Sequence, residues 1–187
     1  MHAPREVEIK FLIQDLKRLE LRLSQAGFHC TTPATHEINT LYDSQTLSLR
    51  RKGQLLRLRH YGERWILTHK SRAAVGRHKS RIELETQIDD GRQTDSILRA
   101  LGYQPVFVYE KFRSEWTDGK GQVVVDHTPI GDFCEIEGKP RWIDTTANKL
   151  GVRREDYITK NYATLFADWK QETESKAGEM TFKAVRH

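Results

Sequence analysis

Charged side chains recur at every second position in several stretches of this sequence, and in both signs. Glu6, Glu8 and Lys10 alternate with Val7, Ile9 and Phe11, and Arg57 and Arg59 alternate with Leu56 and Leu58. Thr68 and Lys70 share the parity opposite Trp65 and Leu67, and Arg81, Glu83 and Glu85 that opposite Ile82 and Leu84. Lys111 and Arg113 flank Phe112, Glu135 and Glu137 flank Ile136, and Asp126 lies one strand-period beyond Val124. Successive side chains of a β-strand point to opposite faces, so each stretch gathers its charges on one side. Carboxylates are hard oxygen ligands suited to Mg²⁺, and Arg and Lys suit phosphate oxygens. The chemistry such a face could do is metal-assisted work on a polyanion.

A plainer reading competes with this one. A twisted sheet with one wet face would also alternate, its charges pairing across strands for about 0.2–1 kcal/mol each. Two features favour a site. The face is nearly all long ionisable residues, where a solvent face usually mixes in Thr, Ser and Gln. Both signs also come in same-strand pairs. If the sheet closed with these charges inside, burying them would require ions and substrate as compensation.

The elements that must position these residues follow from patterning. After the first strand, Asp15 predicts a helix cap over residues 15–26, with Leu16, Leu19, Leu23 and Ala26 as the apolar stripe and Gly27 as the stop. Residues 36–43 read as a second strand, and Ser44 as the cap of a short helical turn. Leu55–Tyr61 and Trp65–Ser71 form a hairpin around Gly62-Glu63, and residues 72–80 a polar loop. A fifth strand spans 81–88, and Asp89-Asp90-Gly91 opens a helix to about Leu101. A long strand over 106–117 turns at Asp118-Gly119 and pairs with 122–126, and an eighth strand follows at 133–138. Helical signals return at 141–150 and 162–171. The expected fold is α+β, with eight antiparallel strands and flanking helices: short turns impose antiparallel pairing, and eight strands are about the number that can close into a small barrel, the closed form being what the resemblance described below implies. The expected organisation is one domain over residues 1–171, with 172–187 as a flexible polar tail.

Bulk properties bound the rest. At 187 residues the chain is long enough to bury a core, and 37% hydrophobic with 30% charged residues is polar without being disorder-prone. The net charge of +5 and a pI near 9.2 fit an anionic partner. No apolar run approaches a membrane span, and the N-terminus lacks a signal peptide's apolar core, so the expected location is the cytoplasm. Cys30 and Cys134, far apart, indicate neither a disulfide framework nor a zinc site, and the eight histidines show no metal-ligand spacing. The common nucleotide-binding glycine loops are absent.

At this point the residues carry a resemblance. Glu6-Val-Glu8-Ile-Lys10 is similar to the ExExK signature of the CYTH superfamily, the triphosphate tunnel metalloenzymes. The similarity continues in the family's order through Arg57-Leu-Arg59, Thr68-His-Lys70, Glu83-Leu-Glu85, Lys111-Phe-Arg113, the stretch from Asp126 to Glu137, and Asp156 to Tyr162. Length and the Gly131–Glu137 stretch resemble the CyaB-like branch, which includes class IV adenylyl cyclases and thiamine triphosphatases. The resemblance implies a barrel whose lumen takes a triphosphate and one or two Mg²⁺ or Mn²⁺ ions. It assigns Glu6, Glu8, Asp126, Glu135 and Glu137 to metal. It assigns Lys10, Arg57, Arg59, Lys70, Lys111, Arg113 and Lys160 to phosphate. Lys10, Glu83 and Glu85 are then the catalytic candidates, Glu83 or Glu85 assisting a second metal or orienting the attacking group. Asn161 departs from the Ser that relatives often carry there.

Within the family two reactions share this lumen. A phosphohydrolase activates water against tripolyphosphate, thiamine triphosphate or a nucleoside triphosphate. A class IV adenylyl cyclase turns the ribose 3′-hydroxyl of ATP onto the α-phosphate and releases pyrophosphate. Hydrolysis is the leading expectation, because no adenine pocket is visible in the sequence. A non-catalytic polyphosphate- or RNA-binding module is the third reading. Nucleic acid is disfavoured because no aromatic stacking pattern accompanies the basic residues. No membrane partner is expected, and a homodimer is expected by analogy only.

Overall fold

The structure, a computed structural model, describes residues 5–186; residues 1–4 and 187, which fall in the expected domain and tail, lie outside the described residues. Nine strands form one antiparallel sheet: β1 (Arg5–Ile13), β2 (His29–Ser44), β3 (Leu55–Tyr61), β4 (Arg64–Lys70), β5 (Ala74–Val75), β6 (Lys79–Ile88), β7 (Tyr103–Thr117), β8 (Gln122–Thr128) and β9 (Gly131–Glu137). The order β1-β9-β8-β7-β2-β3-β4-β6 returns to β1 through a β1–β6 pairing, which closes an eight-stranded barrel and leaves only the two-residue β5 outside it. The expected α+β barrel is therefore the observed fold. The fifth expected strand begins two residues earlier than its charge pattern suggested, and this brings Lys79 onto the barrel wall.

Six α-helices decorate the barrel: α1 (Leu16–Gln25), α2 (Ser48–Arg51), α3 (Gly91–Ala100), α4 (Pro140–Lys149), α5 (Tyr162–Thr173) and α6 (Phe182–Val185). Four begin at the side-chain caps that short polar residues favour: Asp15 accepts from Arg18 N–H, Asp90 from Gln93 N–H, Asn161 from Thr164 N–H and Thr181 from Ala184 N–H, all at 2.9–3.1 Å. The start of α2 is held from two residues, and Ser44, the expected cap, accepts Ser48 N–H at 3.1 Å. Leu47 occupies its N-cap in the left-handed region, and Asp43 reaches over from β2 to accept the N–H groups of Leu49 and Arg50, both at 2.9 Å. Gly91 allows α3 to start directly on Trp65, where a Cβ would sit 2.0 Å from the indole.

Most of the apolar core lies outside the barrel. Outward residues of β1, β8 and β9 (Ile9, Phe11, Val123, Val125, Ile136) pack beneath α1 and α4 through Leu19, Leu23, Ile143 and Ala147. A second cluster joins Tyr109 and Phe133 to Tyr162 and Phe166 of α5, and a third sets Leu98 of α3 against Tyr42 and Leu58. At about 1.5–3 kcal/mol per buried large apolar side chain, these contacts stabilise the barrel; the second cluster closes one end of the lumen and leaves the rest of it to charge.

The C-terminal segment, read from the sequence as a loose tail, is docked. β8 leaves β7 at Phe112, which exposes the backbone edge of residues 108–110. Met180 closes that edge with a parallel bridge: its N–H donates to Val108 O at 3.1 Å, and Glu110 N–H donates to Met180 O at 3.0 Å. Met180 is fully buried, and Phe182 N–H donates to Glu110 Oε1 at 2.6 Å. The segment shows no periodicity because it is held by an edge bridge and one buried methionine. Backbone edges seek partners whatever the side chains.

A charged tunnel as the candidate active site

The inward positions of the barrel strands enclose a lumen of about 460 Å³. Its charges are arranged as two unlike walls. On β7 and β8, Asp126 is completely buried and accepts four hydrogen bonds: Lys111 Nζ at 2.8 Å, Arg113 Nε and Nη2 at 2.7 Å each, and the Tyr162 phenol at 2.6 Å. Arg113 Nη2 also donates to Glu135 at 2.7 Å, and Glu135 in turn holds Lys10 Nζ at 2.9 Å. Bidentate, charge-assisted bonds of this kind fix the cations in position. Burial opposes the ionised Glu135, but Lys10, Arg113 and Lys111 outweigh it and hold its carboxyl well below the usual range. Burial likewise disfavours the Lys10 ammonium, while Glu135 and Glu8 together raise it.

The wall on β1, β9 and β6 is less settled. Glu8 and Glu137 are register partners across β1 and β9. Lys79 Nζ lies 2.6 Å from Glu8, and Lys70 Nζ bridges Glu6 and Glu83 at 2.9 and 2.8 Å. Arg81 Nε adds a contact to Glu6 at 3.1 Å. Glu137 has no such ion pair among the described residues. Burial first, then the neighbouring charges of Glu6 and Glu8, push its carboxyl up to about 7. Burial pulls the Lys79 ammonium down more than Glu8 restores it. Arg57 completes the upper lumen, 3.5–3.7 Å from Glu85 and Glu83 and bonded to Thr68 at 3.2 Å.

One end of the lumen is formed by the start of α5, where Asn161, Tyr162 and Ala163 line it. Lys10 and Lys111 lie over the Tyr162 ring, 4.2 and 4.8 Å from its centre. Tyr162 therefore orients two lysines by cation–π contact while its hydroxyl anchors Asp126.

Most residues singled out from the sequence thus share one lumen, with two exceptions of role. Lys160 is exposed on the outside, 2.6 Å from Asp168, and does not reach the tunnel. The strand register breaks off before it, so parity gives it no inward direction. Asp126 is inside but saturated by four donors, which leaves it an anchor for Lys111 and Arg113 rather than an open ligand. Sequence reasoning missed Glu37, Asn39, Lys79, Tyr109 and Tyr162, and left Arg81 out of the site. Glu37 and Asn39 alternate with Ile38 and were legible by the same parity. Tyr109 lies two residues before Lys111, also on that parity.

Three carboxylates, Glu6, Glu8 and Glu137, form the donor set suited to a divalent cation. Their oxygen chemistry fits a hard ion, and the raised Glu137 marks an excess of negative potential that such an ion would neutralise. Among the described residues no three acidic, His or Cys side chains converge as a preset metal cage. Glu6 and Glu8 instead turn toward lysine and arginine, which stand where cations would.

A closed antiparallel barrel with most of its apolar core outside and charges of both signs inside defines a charged-tunnel architecture. Comparison places it in a family: the CYTH domain profile matches residues 4–162, and the chain belongs to that family. No curated protein matches the chain. Among solved structures, an adenylate cyclase candidate of Vibrio parahaemolyticus superposes with a TM-score of 0.80 at 18% identity, covering 89% of this chain and 99% of that one. A conserved protein of Pyrococcus furiosus gives 0.73 at 24% identity, covering 86% and 99%. An adenylyl cyclase candidate of Hippeastrum, in which triphosphatase activity dominates, gives 0.63 at 19% identity, covering 87% and 95%. These likenesses bear on the fold. No described helix is long and apolar enough to cross a membrane.

Proposed function

We propose that the tunnel is a divalent-metal-dependent phosphohydrolase site acting on a triphosphate: tripolyphosphate, thiamine triphosphate or a nucleoside triphosphate. The observation that carries this reading is the meeting of two unlike walls in one closed lumen, fixed cations on one and, on the other, a carboxylate cluster that includes Glu137, unpaired among the described residues. Phosphoryl transfer asks for positioning and charge neutralisation, and these walls supply both. Lys10, Arg57, Arg59, Lys70, Lys111 and Arg113 bind and orient the phosphate chain. Glu6, Glu8 and Glu137 would hold Mg²⁺ or Mn²⁺, which supplies Lewis-acid neutralisation of phosphate oxygens when bound. Glu83 and Glu85 sit beside Lys70 and Arg57, placed to steer these cations or the attacking group. Asp126 and Tyr162 keep Arg113 and Lys111 aimed into the lumen. Hydrolysis is preferred to cyclisation as the less demanding chemistry; the aromatic rings lining the lumen, Tyr109 and Tyr162, are packed against each other 5.7 Å apart.

The test is product analysis with tripolyphosphate, thiamine triphosphate and ATP, in Mg²⁺ and in Mn²⁺. Orthophosphate release is expected, abolished by chelation. Cyclic AMP with pyrophosphate would instead establish the cyclase reading, and no turnover of any triphosphate would remove both.

A further inference from the structure

Among the described residues, the buried side-chain atoms without a hydrogen-bond partner are Glu37 Oε2, Arg57 Nε and Tyr61 Oη. All belong to β2 and β3, and Glu37 and Tyr61 are register partners. Buried polar atoms are ordinarily satisfied, so their gathering on one wall asks for a reason. Glu37 is fully buried behind the cations. Its Oε1 accepts the Asn39 amide at 2.8 Å, while Lys111 Nζ and Arg59 Nε stand off at 3.5 and 3.6 Å. Arg113 Nε is 3.9 Å from Oε2. Burial opposes its ionisation, yet Lys111, Arg59, Arg113 and Arg57 hold the carboxyl far below its ordinary range.

The contrast with Asp126 is instructive. Asp126 captures Arg113 and Lys111 at 2.7–2.8 Å. Glu37 sits one shell further from the same two cations and from Arg59, close enough to neutralise and too far to consume their donors. Coulomb attraction falls slowly with distance, whereas hydrogen bonding is lost beyond about 3.5 Å. Charge can therefore be balanced without blocking the donors that an incoming anion needs.

We propose that Glu37 is a positioning residue, the resident counter-anion of the phosphate-binding wall, which sets how tightly a polyanion is held and how readily its product leaves. This rests on the reading of the lumen as a triphosphate site. Glu37 takes no part in bond making. It tempers four cations that would otherwise grip phosphate too strongly to turn over.

The experiment compares wild type with Glu37→Gln, which keeps the oxygen that accepts from Asn39 and removes the charge. Calorimetric titration with inorganic tripolyphosphate and with pyrophosphate should show about tenfold tighter binding in the variant, the scale of one lost charge at a partly screened site. Both kcat and KM for tripolyphosphate should fall together, as expected when product release slows. The double variant Glu37→Gln with Arg59→Gln should return the affinity toward wild type. If the single variant is unstable, added tripolyphosphate should restore its melting temperature, because the ligand replaces the lost anion. Unchanged or weaker binding in the variant, or instability that tripolyphosphate does not repair, overturns the proposal. A wild type that binds neither anion overturns the functional reading as well, so the two failures are distinguishable.

Discussion

On β7 and β8 every lumen cation already has a carboxylate at hydrogen-bond distance, whereas on β1 and β9 a half-buried carboxylate, Glu137, faces other carboxylates. Asp126 and Glu137 are both carboxylates of the same lumen, yet the fully buried Asp126 accepts four donors and the half-buried Glu137 is pushed up to about 7. The difference teaches how a barrel can hold so many charges. One wall is finished in the polypeptide itself and keeps its shape without a ligand. The other is provisional: Lys70, Lys79 and Arg81 hold Glu6 and Glu8 in trust until a stronger cation displaces them. The lysines can yield because an ammonium on a flexible stem is a movable point charge, whereas the Arg113 fork on Asp126 is geometrically fixed.

The largest break should come from the finished wall. Asp126→Asn keeps the volume but strands Arg113 and Lys111 in a buried site and weakens the hold on Tyr162. Removing one partner of a buried ion pair costs about 3–5 kcal/mol. Urea denaturation should show a loss of that size, and a loss under about 1 kcal/mol would mean that Asp126 is not the anchor. On the provisional wall the effect should be on chemistry. Glu8→Gln should reduce metal-dependent turnover of tripolyphosphate by on the order of 10²-fold, while metal-free affinity for pyrophosphate does not fall. A variant that keeps wild-type turnover would remove Glu8 from the metal set.

The same comparison explains what the sequence could disclose. Inward direction was legible wherever a strand alternated, which is why Glu6, Glu8, Lys10, Arg57, Arg59, Lys111 and Arg113 could be gathered onto one face. Strand number and turn length permitted a closed barrel, and the ordered family resemblance implied it. Role within the face was not legible, because Asp126 and Glu137 differ in which side chain the neighbouring strand sets beside them, Arg113 for one and Glu8 for the other, and that depends on the register of the pairing. The docked C-terminus was hidden for a related reason. Met180 fills a gap created by β8 ending at Phe112, a fact of pairing rather than of composition.

Glu137 offers a subtler test, through pH. A carboxyl raised from an ordinary value near 4.5 to about 7 favours its protonated form in the folded state. The protein is therefore penalised as pH rises from about 4.5 through 7, fully so above that, and not at all below 4.5. Glu137→Gln mimics the protonated group. In chelator at pH 8 it should raise stability by about 1–2 kcal/mol, discounted for partial solvent access, and at pH 4 it should change nothing. Saturating Mg²⁺ with tripolyphosphate should reverse the order at pH 8, because wild type then gains a ligand that the amide lacks. Destabilisation at pH 8 without metal would show that Glu137 has a cationic partner after all.

The smallest effect is expected at Lys160, and it sharpens the boundary between the walls and the outside. Its neighbour Asn161 caps α5, and Tyr162 enters the lumen, so the chain crosses from exterior to interior within two residues. Lys160 stays on the exterior, paired with Asp168, and exposed pairs of this kind contribute about 0–1 kcal/mol. Lys160→Ala should therefore alter tripolyphosphate turnover by less than about twofold, whereas Tyr162→Phe, which removes one donor from Asp126 and keeps the ring under Lys10 and Lys111, should cost more. If Lys160→Ala proves the more damaging of the two, the side chain must swing away from Asp168 onto the substrate, and the wall would then include a cation that only the bound state recruits.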